Sequence, residues 1–255
     1  MFKFVRLSDI ETVDKIVGDN PTIKFSSVFN LNDPYELKFN LKIDPYSDYT
    51  KTEYFKTYPE KNLEDFKSWQ GQVTDQFIWH TEQEQRNTIA RLITIASFAG
   101  NKENNLMWSH YTDNHKGICV EYYKSLFDFL KKQKGFFVSA KVKYSETPPT
   151  VDSSESIQKK IMKMIFNKQI EWQYEEELRV VFQSDNDTDF IPIENKLIKA
   201  VYIGSKTPSH IEKYIVATCK RNNIKILYGI TLGDSYKVKF SEQKDGTTYM
   251  RTFWN

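Results

Sequence analysis

The alternation of apolar and polar residues predicts the first elements of the chain. Residues 2–6 alternate with the period of two that a half-buried strand requires. Ser8, with a glutamate three residues later, has the spacing of a helix cap, so we predict a helix that runs to about Val17. After a Gly-Asp-Asn-Pro turn, residues 22–26 predict a second strand, and alternation returns over residues 37–43.

The remaining pattern predicts strands separated by helices, with a helical insertion. Residues 47–92 are aromatic, polar and helical in pattern, with the best helical stretches at 63–77 and 82–92. The apolar run 93–98 predicts a buried strand, and 100–105 an exposed loop. Further on, we predict helices at 106 to about 114, 125–134, 155–168 and 209–222, strands at 117–122, 138–144, 197–203 and 224–228, a polar linker ending at 154, and a closing hairpin of 238–240 with 249–253.

A charged entrance to an apolar run, Trp-Gln-Tyr-Glu-Glu-Glu-Leu-Arg-Val-Val-Phe, occupies residues 172–182. In a strand, Glu175, Glu177 and Arg179 share one face, because residues two apart point the same way. In a helix, Glu175 and Arg179 would form a solvated pair worth about 0.2–0.5 kcal/mol. The β-rich end of the segment favours the strand. Carboxylates held together at a strand start indicate either catalysis or a structural ion-pair network.

With 255 residues, of which 39% are hydrophobic, the chain can bury one large core or two small ones, and we expect a single domain over residues 1–255. The order of the predicted helices and strands indicates a mixed α+β class. The formal net charge is only +2, although residues 191–255 carry 11 Lys and Arg against 5 Asp and Glu. This bias fits a nucleic-acid or phosphate face as well as an ordinary solvated surface.

Several classes of protein do not fit the sequence. The two cysteines, 100 residues apart, lack the spacing of a zinc site, so we expect no metal and two reduced thiols. We find no leader pattern and no apolar stretch long enough to span a bilayer, and we expect a cytoplasmic protein without a membrane partner.

A second constellation combines Trp108, His110 and Tyr111 with His115 and Lys116. Two histidines five residues apart are poorly spaced for a shared metal on a helix. The rings can anchor the segment in the core, with the histidines bonding neighbouring loops, or they can form a platform that stacks a flat ligand. Both interpretations remain open at this point.

A third constellation is Asn32, Asp33 and Glu36 in the sequence Asn-Asp-Pro-Tyr-Glu. Asn and Asp before Pro are typical of a structured turn whose side chains bond backbone amides. Alternatively, Asp33 or Glu36 faces a cleft and takes part in function.

Four motifs together resemble the bacterial family called domain of unknown function 2971. They are the aromatic-Lys-aromatic start, Phe-x-x-Asn-Asp-Pro-x-Glu at 29–36, Met-Trp-Ser-His-Tyr at 107–111 with His-Lys-Gly-Ile-Cys at 115–119, and Trp-x-Tyr-Glu-x-Glu-x-Arg at 172–179. Their order is similar to that of the ADP-ribosyltransferase superfamily. That likeness implies a mixed or antiparallel split β-sheet of the ADP-ribosyltransferase type, flanked by helices.

The resemblance also implies a role for each matching residue. Arg6 corresponds to the residue on the first strand that holds NAD, and Ser8 lies just beyond it. Ser97 corresponds to the serine of the middle strand, although this chain has Ala-Ser-Phe-Ala where the superfamily has Ser-Thr-Ser. Trp108 or Tyr111 would be the ring against the nicotinamide.

The late carboxylates take the catalytic roles in this resemblance. Glu177 matches the catalytic glutamate, and Glu175 matches the residue that contacts the acceptor. A carboxylate near the ribose stabilises the oxocarbenium-like transition state that forms when the nicotinamide bond breaks. Substrate or structural support falls to Asn32, Asp33, Glu36, His110, His115, Lys116 and Arg179.

The expected function is therefore an NAD-dependent ADP-ribosyltransferase that modifies a protein or a nucleic acid. The superfamily implies a role as a bacterial toxin or phage-defence effector, with an antitoxin or immunity protein as a partner. One rival is a nuclease with a metal held by Asp33, Glu36, Glu175 and Glu177. The other is a module that binds a nucleotide or a partner without catalysis.

Overall fold

The computed structural model describes residues 1–230 and 236–243, so residues 249–253 of the predicted hairpin lie outside it. The strands are β1 Phe2–Val5, β2 Thr22–Ser27, β3 Asn40–Lys42, β4 Ile93–Phe98, β5 Ile118–Tyr122, β6 Phe136–Lys141, β7 Lys143–Ser145, β8 Thr150–Asp152, β9 Asn167–Gln169, β10 Leu178–Gln183, β11 Thr188–Pro192, β12 Ile198–Ile203, β13 Lys225–Ile230 and β14 Lys239–Ser241. The α-helices are α1 Ile10–Val17, α2 Asp48–Thr57, α3 Leu63–Gln72, α4 Asp75–Leu92, α5 Asn105–Tyr111, α6 Ser125–Leu130, α7 Ile157–Ile165 and α8 Ser209–Arg221. Short 3-10 helices lie at Val28–Asn30, Ile170–Glu175 and Asn195–Leu197.

Most strands belong to two five-stranded sheets. The first has the order β1-β5-β12-β13-β14 and is mixed, because β12 and β13 are parallel. The second has the order β11-β2-β4-β10-β6 and is antiparallel. Two further pairs, β3 with β8 and β7 with β9, are parallel. The predicted mixed α+β class, with mixed and antiparallel sheets, is confirmed.

The two large sheets meet through the backbone of Phe2 and Ala99. The amide of Phe2 donates to the carbonyl of Ala99 over 3.1 Å, and the reverse bond is 2.6 Å long. Phe2 begins the edge strand of the first sheet, whereas Ala99 follows the central strand of the second. This junction brings β1 beside the carboxyl end of β4.

The main hydrophobic core lies between these two sheets. It combines residues of α1, both sheets and α8, and the rings of Phe25 and Phe182 meet there with centroids 4.6 Å apart. The opposite face of the second sheet carries a second cluster, in which Ile95 and Val181 pack with Ile165 of α7. Helices α2, α3 and α4 fill the predicted insertion at 47–92.

Several local predictions are wrong in detail. The cap of α1 is Asp9 rather than Ser8, because Asp9 is extended and its carboxylate accepts from the Thr12 amide over 2.7 Å. The strand predicted at 37–43 is reduced to β3, since Leu37 adopts a left-handed conformation with a φ of 59°. The helix predicted at 155–168 ends at Ile165, where β9 follows, and β8 and β11 were not predicted.

Within the described residues, every helix is too short or too polar to cross a lipid bilayer.

A buried glycine holds β1 against the turn that precedes β5. A methyl group added at Gly117 would lie 2.1 Å from the carbonyl oxygen of Val5, whereas one added at Gly71 in α3 would meet open space. We therefore expect Gly117→Ala to lower the free energy of unfolding by about 1–3 kcal/mol. Gly71→Ala should be neutral or stabilising by up to about 1 kcal/mol. Urea unfolding measures both, and an unchanged stability for Gly117→Ala would contradict this close approach.

Candidate active site

The segment that carries the late carboxylates is a short turn followed by a strand. A 3-10 helix ends at Glu175, and β10 begins at Leu178. Between them Glu176 is left-handed, with a φ of 46°. This turn buries Glu175 and Glu177 and leaves Glu176 exposed. Glu175, Glu177 and Arg179 do converge, but they do so through this turn and not along one face of the predicted strand, which begins only at Leu178.

Arg179 is the centre of a buried ion-pair network and has no exposed surface. Its Nε donates to Glu177 Oε1 over 2.8 Å, and its Nη2 donates to Glu177 Oε2 over 3.1 Å. Nη2 also donates to Glu36 Oε1 over 2.6 Å, and Nη1 to the carbonyl of Ile165 over 2.7 Å. Arg179 therefore ties β10 to α7 and to the loop that carries Glu36.

Lys168, which the sequence did not single out, is the second cation of this network. Its Nζ lies 2.7 Å from Glu175 Oε2, 3.4 Å from Glu36 Oε1 and 3.5 Å from Glu177 Oε2. The ammonium also stands 4.6 Å from the centre of the Trp172 ring. We call Glu36, Lys168, Glu175, Glu177 and Arg179 the acidic cluster. Lys168 reaches the acidic cluster through the pairing of β9 with β7, so no local sequence pattern distinguishes it from its neighbours.

The acidic cluster contains three carboxylates and two cations. Burial alone would raise the pKa of Glu177, but Arg179 and Lys168 lower it to about 2. The pKa of Glu175 is raised by its burial and by the charge of Glu177, although Lys168 opposes the shift. Glu177 is therefore a carboxylate at neutral pH, and Glu175 is protonated more easily than Glu177.

Two hydroxyl groups complete the polar contacts of these glutamates. Ser97 lies directly opposite Arg179 in the pairing of β4 with β10, and its hydroxyl donates to Glu177 Oε1 over 2.5 Å. The hydroxyl of Tyr111 donates to Glu175. Burial, followed by the charge of Glu175, raises the pKa of Tyr111, so this tyrosine remains a proton donor.

A cleft of about 530 Å³ opens beside the junction of the two sheets. It is lined by residues of β1, β2 and β4 and by four members of the acidic cluster, Glu36, Lys168, Glu175 and Glu177. Of the residues singled out from the sequence, the cleft brings together Arg6, Ser8, Asn32, Glu36, Ser97, Tyr111, Glu175 and Glu177. Its volume falls within the usual range for small-molecule sites.

Trp108 does not line this cleft, so its proposed stacking on a ligand is corrected. Its side chain has no exposed surface and packs edge-on against Phe4, with ring centroids 5.3 Å apart. Its Nε1 donates to the carbonyl of Lys102 over 2.7 Å. Helix α5 thus buries Trp108 as an anchor and points Tyr111 at Glu175.

The histidines and Lys116 also lie outside the cleft lining. His110 is exposed, with its Nδ1 2.9 Å from the hydroxyl of Tyr174. His115 is buried parallel to the Trp108 ring, and burial together with Lys206 lowers its pKa. Lys116 forms an exposed ion pair with the aspartate three residues earlier, over 3.2 Å. These residues support the segment around Trp108 and Tyr111 and do not face the cleft.

The loop before β3 divides the roles of its acidic residues. Asp33 forms the predicted turn, accepting from the Tyr35 amide over 2.8 Å. Glu36 instead reaches the acidic cluster, and Arg86 fixes its backbone carbonyl over 2.9 Å. The second carboxylate oxygen of Glu36 is buried and has no hydrogen-bond partner within the described chain. The cluster therefore keeps unneutralised acceptor capacity.

Acid should weaken the contribution of Glu177 to folding. Its pKa of about 2 in the folded state is depressed from about 4.3 in an unfolded chain. Its stabilising contribution is therefore complete above about pH 5 and is lost as the pH falls toward 2. Glu177→Gln should be destabilised by about 3–5 kcal/mol at pH 7, because Arg179 loses a buried partner.

Denaturant unfolding from pH 7 to pH 3 measures this contribution, with Glu176→Gln as the exposed control. The difference in free energy of unfolding between wild type and Glu177→Gln should shrink as the pH falls. A difference that is constant with pH would mean that Glu177 has an ordinary pKa.

Comparison with known proteins adds one family match. The family model described as "Protein of unknown function (DUF2971)" matches residues 107–180, from α5 into β10. This match confirms the resemblance to that family over the stretch that contains Tyr111, Lys168, Glu175 and Glu177. No curated protein matches the chain, and no solved structure does either.

Proposed function

We propose that the chain is an NAD-dependent ADP-ribosyltransferase that modifies a macromolecule, built on a split sheet of that superfamily's type. The observation that carries the proposal is the ionised Glu177, held by Ser97 at the wall of a cleft between two sheets. Arg6 of the first-strand segment, Ser97 of β4 and Glu177 beside β10 line that cleft in the order of the superfamily motifs.

The charge of the acidic cluster suits this chemistry. Cleavage of the bond between nicotinamide and ribose builds positive charge on the sugar. Three carboxylates face only two cations, so the cluster carries one excess negative charge when Glu175 is ionised. A fixed negative group near the developing charge lowers the barrier, because it is already oriented before the reaction.

Three further residues have roles in this proposal. Glu175 is the acceptor-side carboxylate, because its raised pKa suits a group that takes up a proton. Tyr111 donates to it and lies on the cleft wall, where it replaces Trp108 as the ring available to the nicotinamide. Arg6 is exposed on the cleft and has no hydrogen bond or ion pair within residues 1–230 and 236–243, so its guanidinium is available for a phosphate.

The contacts of the acidic cluster support the alternative function, a metal-dependent nuclease, less than they support a transferase. Glu36, Glu175 and Glu177 converge, but Lys168 and Arg179 already neutralise most of their charge. Asp33 of the hypothetical metal set forms a turn and does not line the cleft. A role as a toxin or phage-defence effector, with an immunity partner, follows from the superfamily likeness and belongs to the proposal.

The direct test is release of nicotinamide from labelled NAD, together with transfer of label to macromolecules of a bacterial lysate. Wild type should cleave NAD, and Glu177→Gln should lower the rate by about 100-fold or more, because a charge-stabilising group is lost. Glu176→Gln, which removes an exposed neighbouring carboxylate, should retain the wild-type rate.

A second variant separates catalysis from folding. Arg6→Gln alters a side chain without internal partners, so it should keep the wild-type melting temperature and weaken NAD binding. The proposal is wrong if wild type neither binds nor cleaves NAD, or if folded Glu177→Gln cleaves it as fast as wild type. Binding without any cleavage would favour the non-catalytic module.

A further inference from the structure

We propose that the basic part of the cleft wall, formed by Lys3, Arg6 and Lys24 next to the acidic cluster, is a diphosphate-binding subsite. The ligand class is a nucleoside diphosphate or a dinucleotide whose phosphates face this wall. The inference rests on the proposed function only in taking those phosphates to be the ones of NAD.

The strands bring Lys3 and Lys24 to the level of Ser97. Strands β2 and β4 are antiparallel and pair at Ser26 and Ile95. Lys24 lies two residues before Ser26 and Ser97 two residues after Ile95, so both side chains lie on the same face of the sheet. The ammonium of Lys3 lies 3.4 Å from the carbonyl oxygen of Ser97 and 5.3 Å from the centre of the Phe98 ring. Both lysines line the cleft.

The cations of this wall differ from Lys168 and Lys15, the other lysines of the cleft, because they form no ion pair among the described residues. Lys168 is neutralised within the acidic cluster, and Lys15 pairs with Glu11 over 2.7 Å. In the part of the chain that the structure describes, Lys3, Arg6 and Lys24 form no ion pair with a carboxylate. Three uncompensated cations on one concave wall create a field that attracts a polyanion.

The electrostatics of Lys3 indicate the same ligand. Its pKa is lowered to about 8, mainly by burial; Glu177 opposes this shift and Lys24 adds to it. Tyr122 of the neighbouring strand β5 lines the same cleft. An anion bound beside Lys3 would add a second negative charge to that of Glu177 and raise this pKa, so binding near pH 8 should take up a proton.

The spacing of the two walls also orients the ligand. Ser97 contacts Lys3 through its carbonyl oxygen and Glu177 through its hydroxyl. The basic wall and the acidic cluster are therefore separated by a single residue of β4. If a phosphate of the ligand binds at Lys3, the ribose attached to that diphosphate would lie beside Glu177.

Calorimetric titration with ADP and with inorganic pyrophosphate tests the subsite without requiring catalysis. Wild type should bind both, and Lys24→Gln should weaken ADP binding about tenfold, as expected for a lost charge-assisted contact. Lys38→Gln is the matched control, because Lys38 is exposed, lies outside the cleft lining and has its ammonium 4.8 Å from the centre of the Tyr35 ring. It should bind ADP as wild type does.

Titration at pH 8 in buffers of different ionisation enthalpy measures proton uptake. Uptake on ADP binding by wild type and its loss in Lys3→Gln would support the subsite. Absence of ADP and pyrophosphate binding, equal weakening in Lys24→Gln and Lys38→Gln, or unchanged uptake in Lys3→Gln would each overturn it.

If ADP binds as expected and NAD is never cleaved, the subsite stands and the transferase activity fails. If NAD is cleaved equally by wild type and Lys24→Gln, the transferase activity stands and the subsite fails.

Discussion

The buried contact between Arg179 and Glu177 is the constraint on which the site depends. A guanidinium without exposed surface is tolerated only when nearly all of its donors are paired, and here they reach Glu177, Glu36 and the carbonyl of Ile165. Those partners come from the start of β10, the loop before β3 and the end of α7. One side chain thus fixes the relative positions of three segments that are distant in sequence.

The same contact sets the chemistry of the cleft. Arg179 and Lys168 keep Glu177 ionised in spite of its burial, whereas Glu175 keeps a raised pKa. Two glutamates two residues apart therefore differ in protonation behaviour because their partners differ. Next to Ser97 of β4, the same cleft carries Lys3 and Lys24, which form no ion pair among the described residues. The resulting separation of negative and positive walls is a property of the whole fold, since β1, β2, β4, β9 and β10 all contribute to it.

The sequence predicted the features that depend on local pattern. Strand β4 has the predicted bounds, and the apolar run that follows Glu177 forms the predicted strand, β10. What it missed depends on tertiary contacts. Lys168 reaches the acidic cluster through the short parallel pairing of β7 with β9. Trp108 is buried instead of facing the cleft because it packs against Phe4 of β1. The left-handed turn at Glu176 is likewise invisible in an alternating pattern.

The central claim is that Glu177 acts on the sugar of NAD and is more than a structural partner of Arg179. A crystal structure with NAD bound tests it most directly. In that structure the ribose next to nicotinamide should lie within hydrogen-bonding distance of the Glu177 carboxylate, with the phosphates on the wall of Lys3 and Lys24. NAD bound elsewhere, or a Glu177 that contacts only Ser97, Lys168 and Arg179 in the complex, would contradict it.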